Sequence, residues 1–125
     1  MPDSASAEDV RYKFLEMLYI KAKSRSLTWI DRGNDSFETK VGEYMIHADY
    51  KKSSANDKYI IWVFSGTLEL IATYRESNVI DISENKLDGL QSYSEMIEKI
   101  FRFAKGSSDS SELAKALEAL SEIGT

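Results

Sequence analysis

Cysteine is absent, proline and histidine occur once each, and no apolar run approaches the ~20 residues needed to span a bilayer. The lack of cysteine excludes disulfides, thiol catalysis, iron–sulfur clusters and cysteine-ligated zinc together. The opening MPDSASAEDV is polar and acidic where a secretory signal would be basic and then apolar, so a cytoplasmic protein is expected. Phosphate-cradling and dinucleotide-binding glycine loops, the GxSxG elbow and the HExxH zinc motif are missing as well. No cofactor and no catalytic residue is therefore expected.

What is present is an ordinary globular composition, 42% apolar and 30% charged over 125 residues. A chain of this length buries roughly two thirds of its extended surface on folding, enough for one unstapled core, so a single domain over 1–125 is expected. Residues 1–6 read as a flexible leader and 106–111 as a hinge before a last helix. The formal charge is −5 and sits in one half. Residues 1–58 carry ten charges of each sign, whereas 59–125 carry six basic and eleven acidic ones. An acidic half opposes the counterion exchange that drives binding to a phosphate backbone, which argues against nucleic acid as a partner. The basic cluster Lys21, Lys23 and Arg25 reads as cations complementing a helix C-terminus.

Ser6 is a candidate N-cap, with Glu8 and Asp9 in the first turn of a helix whose apolar stripe is Val10, Phe14, Met17 and Leu18. LTWI at 27–30 reads as a short strand, followed by turn chemistry at Gly33, Asn34, Asp35 and Ser36. Apolar alternation then holds at Phe37, Thr39 and Val41 but changes phase to Tyr44, Ile46, Ala48 and Tyr50. A strand alternates faces strictly, so the shift at Gly42 requires a turn or a bulge. The polar run 51–58 is a loop. YIIWVF at 59–64 is apolar throughout and reads as the central strand, with a hairpin turn at Ser65, Gly66 and Thr67 and a partner strand over 68–74. Residues 79–82 suit a short edge strand or a loop. Helical spacing returns over 87–105, with Leu90, Met96, Ile97, Ile100, Phe101 and Ala104 on one side. Gly106 is expected to break this helix before a last one over 111–123. The predicted class is α+β: an N-terminal helix, an antiparallel sheet of four to five strands, and two C-terminal helices.

His47 shares a strand face with Glu43, Met45 and Asp49, a spacing compatible with a general base oriented by a carboxylate. Catalysis would also need a nucleophile, an oxyanion site and a cleft, and no motif supplies them. Asp31, Asn34, Asp35 and Glu38 bunch around one turn without the alternation of a Ca²⁺ loop, so no metal is expected. In YIIWVF, Tyr59, Ile61 and Val63 share one face while Ile60, Trp62 and Phe64 share the other. Helices readily cover one face. Strand aromatics commonly serve the core, but if the last helix does not roof the other face, Trp62 or Phe64 is left beside Met45 and His47 as an aromatic patch rimmed by charge.

The segments LTWI, FETKVGEYMIHADY, YIIWVFSGTLELIA and YSEMIEKIFRFAKG, over 27–105, resemble small uncharacterised bacterial proteins of phage-defence and toxin–immunity neighbourhoods. No catalytic signature accompanies that resemblance, so no functional residue is carried over. By size and acidity the chain also resembles type III secretion chaperones, which implies a homodimer. The reading these features favour is a non-enzymatic protein-binding module, an inhibitor, immunity protein or adaptor, whose partner has a basic surface. Its expected binding residues are Met45, His47, Asp49 and Trp62, with Glu95 and Glu98 as steering charges. The alternatives are a secretion-type chaperone and a small ligand-binding domain or enzyme using His47 with Glu43 and Asp49.

Overall fold

In the computed structural model, which describes residues 7–52, 58–76 and 92–124, these periodicities become two helices and five strands. The order is α1 (Ala7–Lys23), β1 (Ile30–Gly33), β2 (Ser36–Val41), β3 (Tyr44–Tyr50), β4 (Tyr59–Phe64), β5 (Leu70–Arg75) and α2 (Tyr93–Ser121). The strands form one antiparallel meander, β1-β2-β3-β4-β5. The Ser6 cap, the 79–82 segment and the expected helix start at Leu87 lie outside the described residues.

Turn chemistry sets the register. Asn34 and Asp35 both adopt positive φ, 54° and 56°, the backbone that a two-residue hairpin needs to match strand twist. The phase shift at Gly42 is a second tight turn: Gly42 takes φ +62°, and β2 and β3 then pair from Val41 opposite Tyr44 to Ser36 opposite Asp49. The turn between β4 and β5 folds against it so closely that a Cβ on Gly66 would lie 3.1 Å from Glu43 Cβ. β4 is an interior strand but not the middle one. That place belongs to β3, because the sheet has two strands before it, and the first of them is Ile30–Gly33 rather than 27–30.

Alternation then sorts the side chains. Phe37, Thr39, Ile46, Ala48, Ile61, Val63 and Tyr74 point to one face and are buried there. Onto that face α2 lays Met96, Ile97, Ile100, Phe101 and Ala104, none more than 6% exposed. Burial of each larger apolar side chain contributes about 1.5–3 kcal/mol, so this stripe is a principal source of stability. Ser92 caps α2 by accepting from the Glu95 amide N–H. α1 packs beside α2: Tyr12 stacks on Tyr93 with centroids 5.0 Å apart, and the Tyr93 hydroxyl donates to Glu16 (2.8 Å). α1 ends where Arg25, at φ +60°, lets the Ser26 N–H reach back to the Lys21 carbonyl (3.0 Å), with Lys21 and Lys23 in the last turn.

Two further expectations, both about the helices, are corrected. α2 does not stop at Gly106 but runs unbroken for 29 residues, so the described chain has two helices and 106–111 are helical. A lone helical glycine costs only about 1 kcal/mol. Here Ser108 continues the buried spacing one turn after Ala104, and Lys105 pairs with Asp109 (3.7 Å) across the site. The buried stripe of α1 is also not Val10, Phe14, Met17 and Leu18. Leu15, Leu18, Tyr19 and Ala22 face the core, while Val10 and Met17 are 57% and 53% exposed. No helix among the described residues is long and apolar enough to cross a membrane.

Candidate functional site

Both helices occupy the same side of the sheet, and among the described residues no helix or strand is layered on the other. The register places Met45 opposite Phe64, His47 opposite Trp62 and Asp49 opposite Ile60 on that helix-free face. Met45, His47, Asp49, Trp62 and Phe64 are each half-buried. Ile60 is the exception at 7% exposure, lying between Asp49 and Arg75.

Hydrogen bonds fix this surface. Trp62 Nε1–H donates to Asp49 Oδ2 (2.9 Å), and the other carboxylate oxygen accepts from Ser36 Oγ (2.6 Å). Arg75 holds its guanidinium 5.7 Å from the Trp62 ring centroid, within cation–π range. One strand over, Glu38 is buried to 8% exposure and satisfied twice: Arg32 donates through Nε (3.2 Å) and Nη2 (2.9 Å), and His47 Nε2 lies 3.1 Å from Oε1. The Arg32 hydrogen bond, aided by the charges of Arg32 and His47, holds the Glu38 carboxyl below its ordinary range against the opposing effect of burial. The His47 ring in turn meets Phe64 edge-on with centroids 5.3 Å apart. These ties restrict the rotamers of Trp62 and His47 before any partner arrives.

Of the residues singled out from sequence, Met45, His47, Asp49 and Trp62 come together on this face. Glu95 and Glu98 do not join them, because α2 lies on the opposite side of the sheet, where Glu98 pairs with Arg102 (2.8 Å). Nor are Glu43, His47 and Asp49 assembled as acid–base machinery. Glu43 sits in the β2–β3 turn, facing a hollow of about 600 Å³ whose lining includes Met45 but neither His47 nor Asp49. The Asp49 oxygens are taken by Trp62 and Ser36, and the carboxylate against His47 is Glu38. Sequence proximity pointed to the wrong acid. The signal for the right one was the two-residue turn at Gly42 and Glu43, which sets Val41 opposite Tyr44 and hence Glu38 opposite His47. No cluster of three potential metal-ligating side chains occurs among the described residues.

A second feature, absent from the sequence reading, lies on the helix side. Between α1 and the end of the sheet that carries the β2–β3 turn, an open apolar groove of about 570 Å³ is lined by Val10, Phe14, Val41, Tyr44 and Ile71, with Arg11 at its wall. A smaller hollow of about 90 Å³ continues it along α1 past Met17 to Lys21, sharing Phe14, Val41 and Ile46. The Tyr74 hydroxyl braces the floor by donating to the Arg11 carbonyl (2.6 Å), while the Arg11 guanidinium stacks 4.2 Å from the Tyr74 ring and bonds the Thr73 carbonyl. Burial pushes the Tyr74 hydroxyl up to about 12. The signal for this groove was the position of Val10, Phe14 and Met17, a second apolar stripe rotated away from Leu15 and Leu18. No family model, curated protein or solved structure matches the chain.

Proposed function

We propose that this protein is a non-enzymatic binding module that docks a protein partner on the helix-free face of its sheet, acting as an inhibitor, immunity protein or adaptor. One observation carries the reading. Among the described residues, a five-stranded sheet with both helices on one side leaves Trp62, Phe64, Met45 and His47 half-exposed on the other, with the polar ends of Trp62 and His47 already tied to Asp49 and Glu38. Tryptophan and its aromatic neighbours supply large contact area, and rings restrained in advance lose little rotamer entropy on binding. Arg32, Lys40 and Arg75 alternate with Glu38 and Asp49 around them, the charged rim that gives such a patch specificity. The net charge of −5 favours a partner with a basic surface by accelerating encounter. Glu95 and Glu98 act at a distance in this scheme, as part of the overall field rather than as contacts.

The test is site-specific photo-crosslinking in the source cell. A photoreactive residue at position 40, exposed on the face and opposite Met45, is compared with one at position 99, exposed on α2. A single basic protein crosslinked at 40, absent at 99 and competed away by the wild-type chain supports the reading. Equal adducts at the two positions, or none at 40, contradict it.

A further inference from the structure

From residue 109 onward every described residue of α2 is exposed, and Leu113, Leu117, Leu120 and Ile123 are each 66–74% exposed. At 1.5 Å per residue, the 13 residues from 109 to the helix end project about 20 Å past the last buried residue, Ser108. Leu113, Leu117 and Leu120 recur at four and three residues, so they form one apolar stripe. The helix is continuous through Gly106, and this stripe therefore cannot turn back onto the domain it leaves.

The same chain carries an unfilled surface of matching size and opposite charge. The groove beside α1 runs from Val10 to Lys21, about 17 Å of helix, against the about 20 Å of projecting α2. Among the described residues, the charged side chains lining it are Arg11 and Lys21, both cations. The tail from 109 to 122 carries four carboxylates and one lysine. We propose that the distal part of α2 docks in the α1 groove of a second copy, and that copy returns its own tail, giving a reciprocal two-fold dimer. A stable interface buries roughly 1,200–2,000 Å² in total, so each of two tail–groove contacts must supply roughly half, the scale of a four-turn helix laid in a groove. An isologous pair uses both tails and both grooves and leaves no open end for further assembly. The contact uses α1 and the end of α2 rather than the sheet face of Trp62 and His47, so this inference is independent of the proposed function.

Sedimentation and light scattering on the full chain test it. The wild-type protein is expected at twice 14.2 kDa at micromolar concentration. Val41→Asp in the groove and Leu117→Asp in the tail each should yield monomers with unchanged circular dichroism. Both positions are exposed, and Val10→Asp, in the first turns of α1 where an acid is tolerated, repeats the groove test if Val41→Asp misfolds. An equimolar mixture of Val41→Asp and Leu117→Asp retains one intact tail and one intact groove, and should recover a heterodimer weaker than the wild type. A monomeric wild type at 100 µM overturns the proposal. So does a dimer that survives both groove substitutions, which would mean that the tails pair with each other, or one that survives Leu117→Asp.

Discussion

Removing the Asp49 carboxylate tests whether the open face is held in advance. Asp49→Ala deletes the acceptor for Trp62 Nε1–H (2.9 Å) and for Ser36 Oγ (2.6 Å) at once. A hydrogen bond to a charged group contributes about 1.5–3 kcal/mol when desolvated. Both donors here are half-exposed and regain water, which reduces each loss to about 1 kcal/mol and the sum to about 2 kcal/mol. For a chain of this size 1 kcal/mol corresponds to about 3–5 °C, so Tm should fall by about 6–10 °C. Asp49→Asn keeps an acceptor and a hydrogen-bonding shape and should lose about half as much. The optical readout is separable, since Trp29 is 4% exposed within the core cluster while Trp62 on the other face loses its partner. The emission of Asp49→Ala should shift to the red, and that shift should vanish in a Trp62→Phe background. A melting point within 1 °C of wild type, with unchanged emission, would refute the claim that Asp49 restrains the ring.

Other consequences follow from particular side chains. Thr39 Oγ1 is buried without a hydrogen-bond partner, so Thr39→Val, which keeps the shape and removes the hydroxyl, should raise stability by about 1 kcal/mol in urea unfolding. Gly106 is helical and exposed, with nothing within 4 Å of an added Cβ, so Gly106→Ala should stabilise α2 by about 0.5–1 kcal/mol and raise its helicity; a loss of stability would show that the glycine is needed as a break. Burial pushes Tyr74 up to about 12, and burial together with the Glu16 hydrogen bond pushes Tyr93 up to about 12. Their folded-state values exceed the unfolded value near 10, so the stability they contribute is complete below pH 10 and is lost as pH rises towards 12. Alkaline unfolding should therefore coincide with late phenolate absorbance, and Tyr74→Phe with Tyr93→Phe should remove that late component.

Much of the layout was legible because local chemistry agreed with the global fold. Asn34–Asp35 named its turn, the phase shift at Gly42 narrowed the second to a turn or a bulge, and the turns that formed fix the register that puts Met45, His47, Asp49 and Trp62 on one face. Met96 to Ala104 declared the core side of α2 by spacing alone. The remainder depended on terms that local pattern does not contain. Gly106 is a weak breaker, and the helix passes it because Ser108 still packs and the alanine- and leucine-rich tail favours helix. α1 carries two apolar stripes, and periodicity cannot say that α2 covers Leu15 and Leu18 while Val10 and Met17 stay open. Glu38 meets His47 only through cross-strand register, nine positions back along the chain. Glu95 and Glu98 read as steering charges in the sequence, and only the layer order shows that they lie across the sheet from the face they would steer.

The most direct test of the helix-free face as a docking surface is the affinity of the purified crosslinked partner for the wild type and for the Met45→Ala, Trp62→Ala double variant, measured by calorimetry beside a cooperative thermal melt. Loss of an anchor of at least 2 kcal/mol predicts binding weakened about 30-fold or more while the double variant still folds. Unchanged affinity in a folded double variant would contradict the assignment of this face.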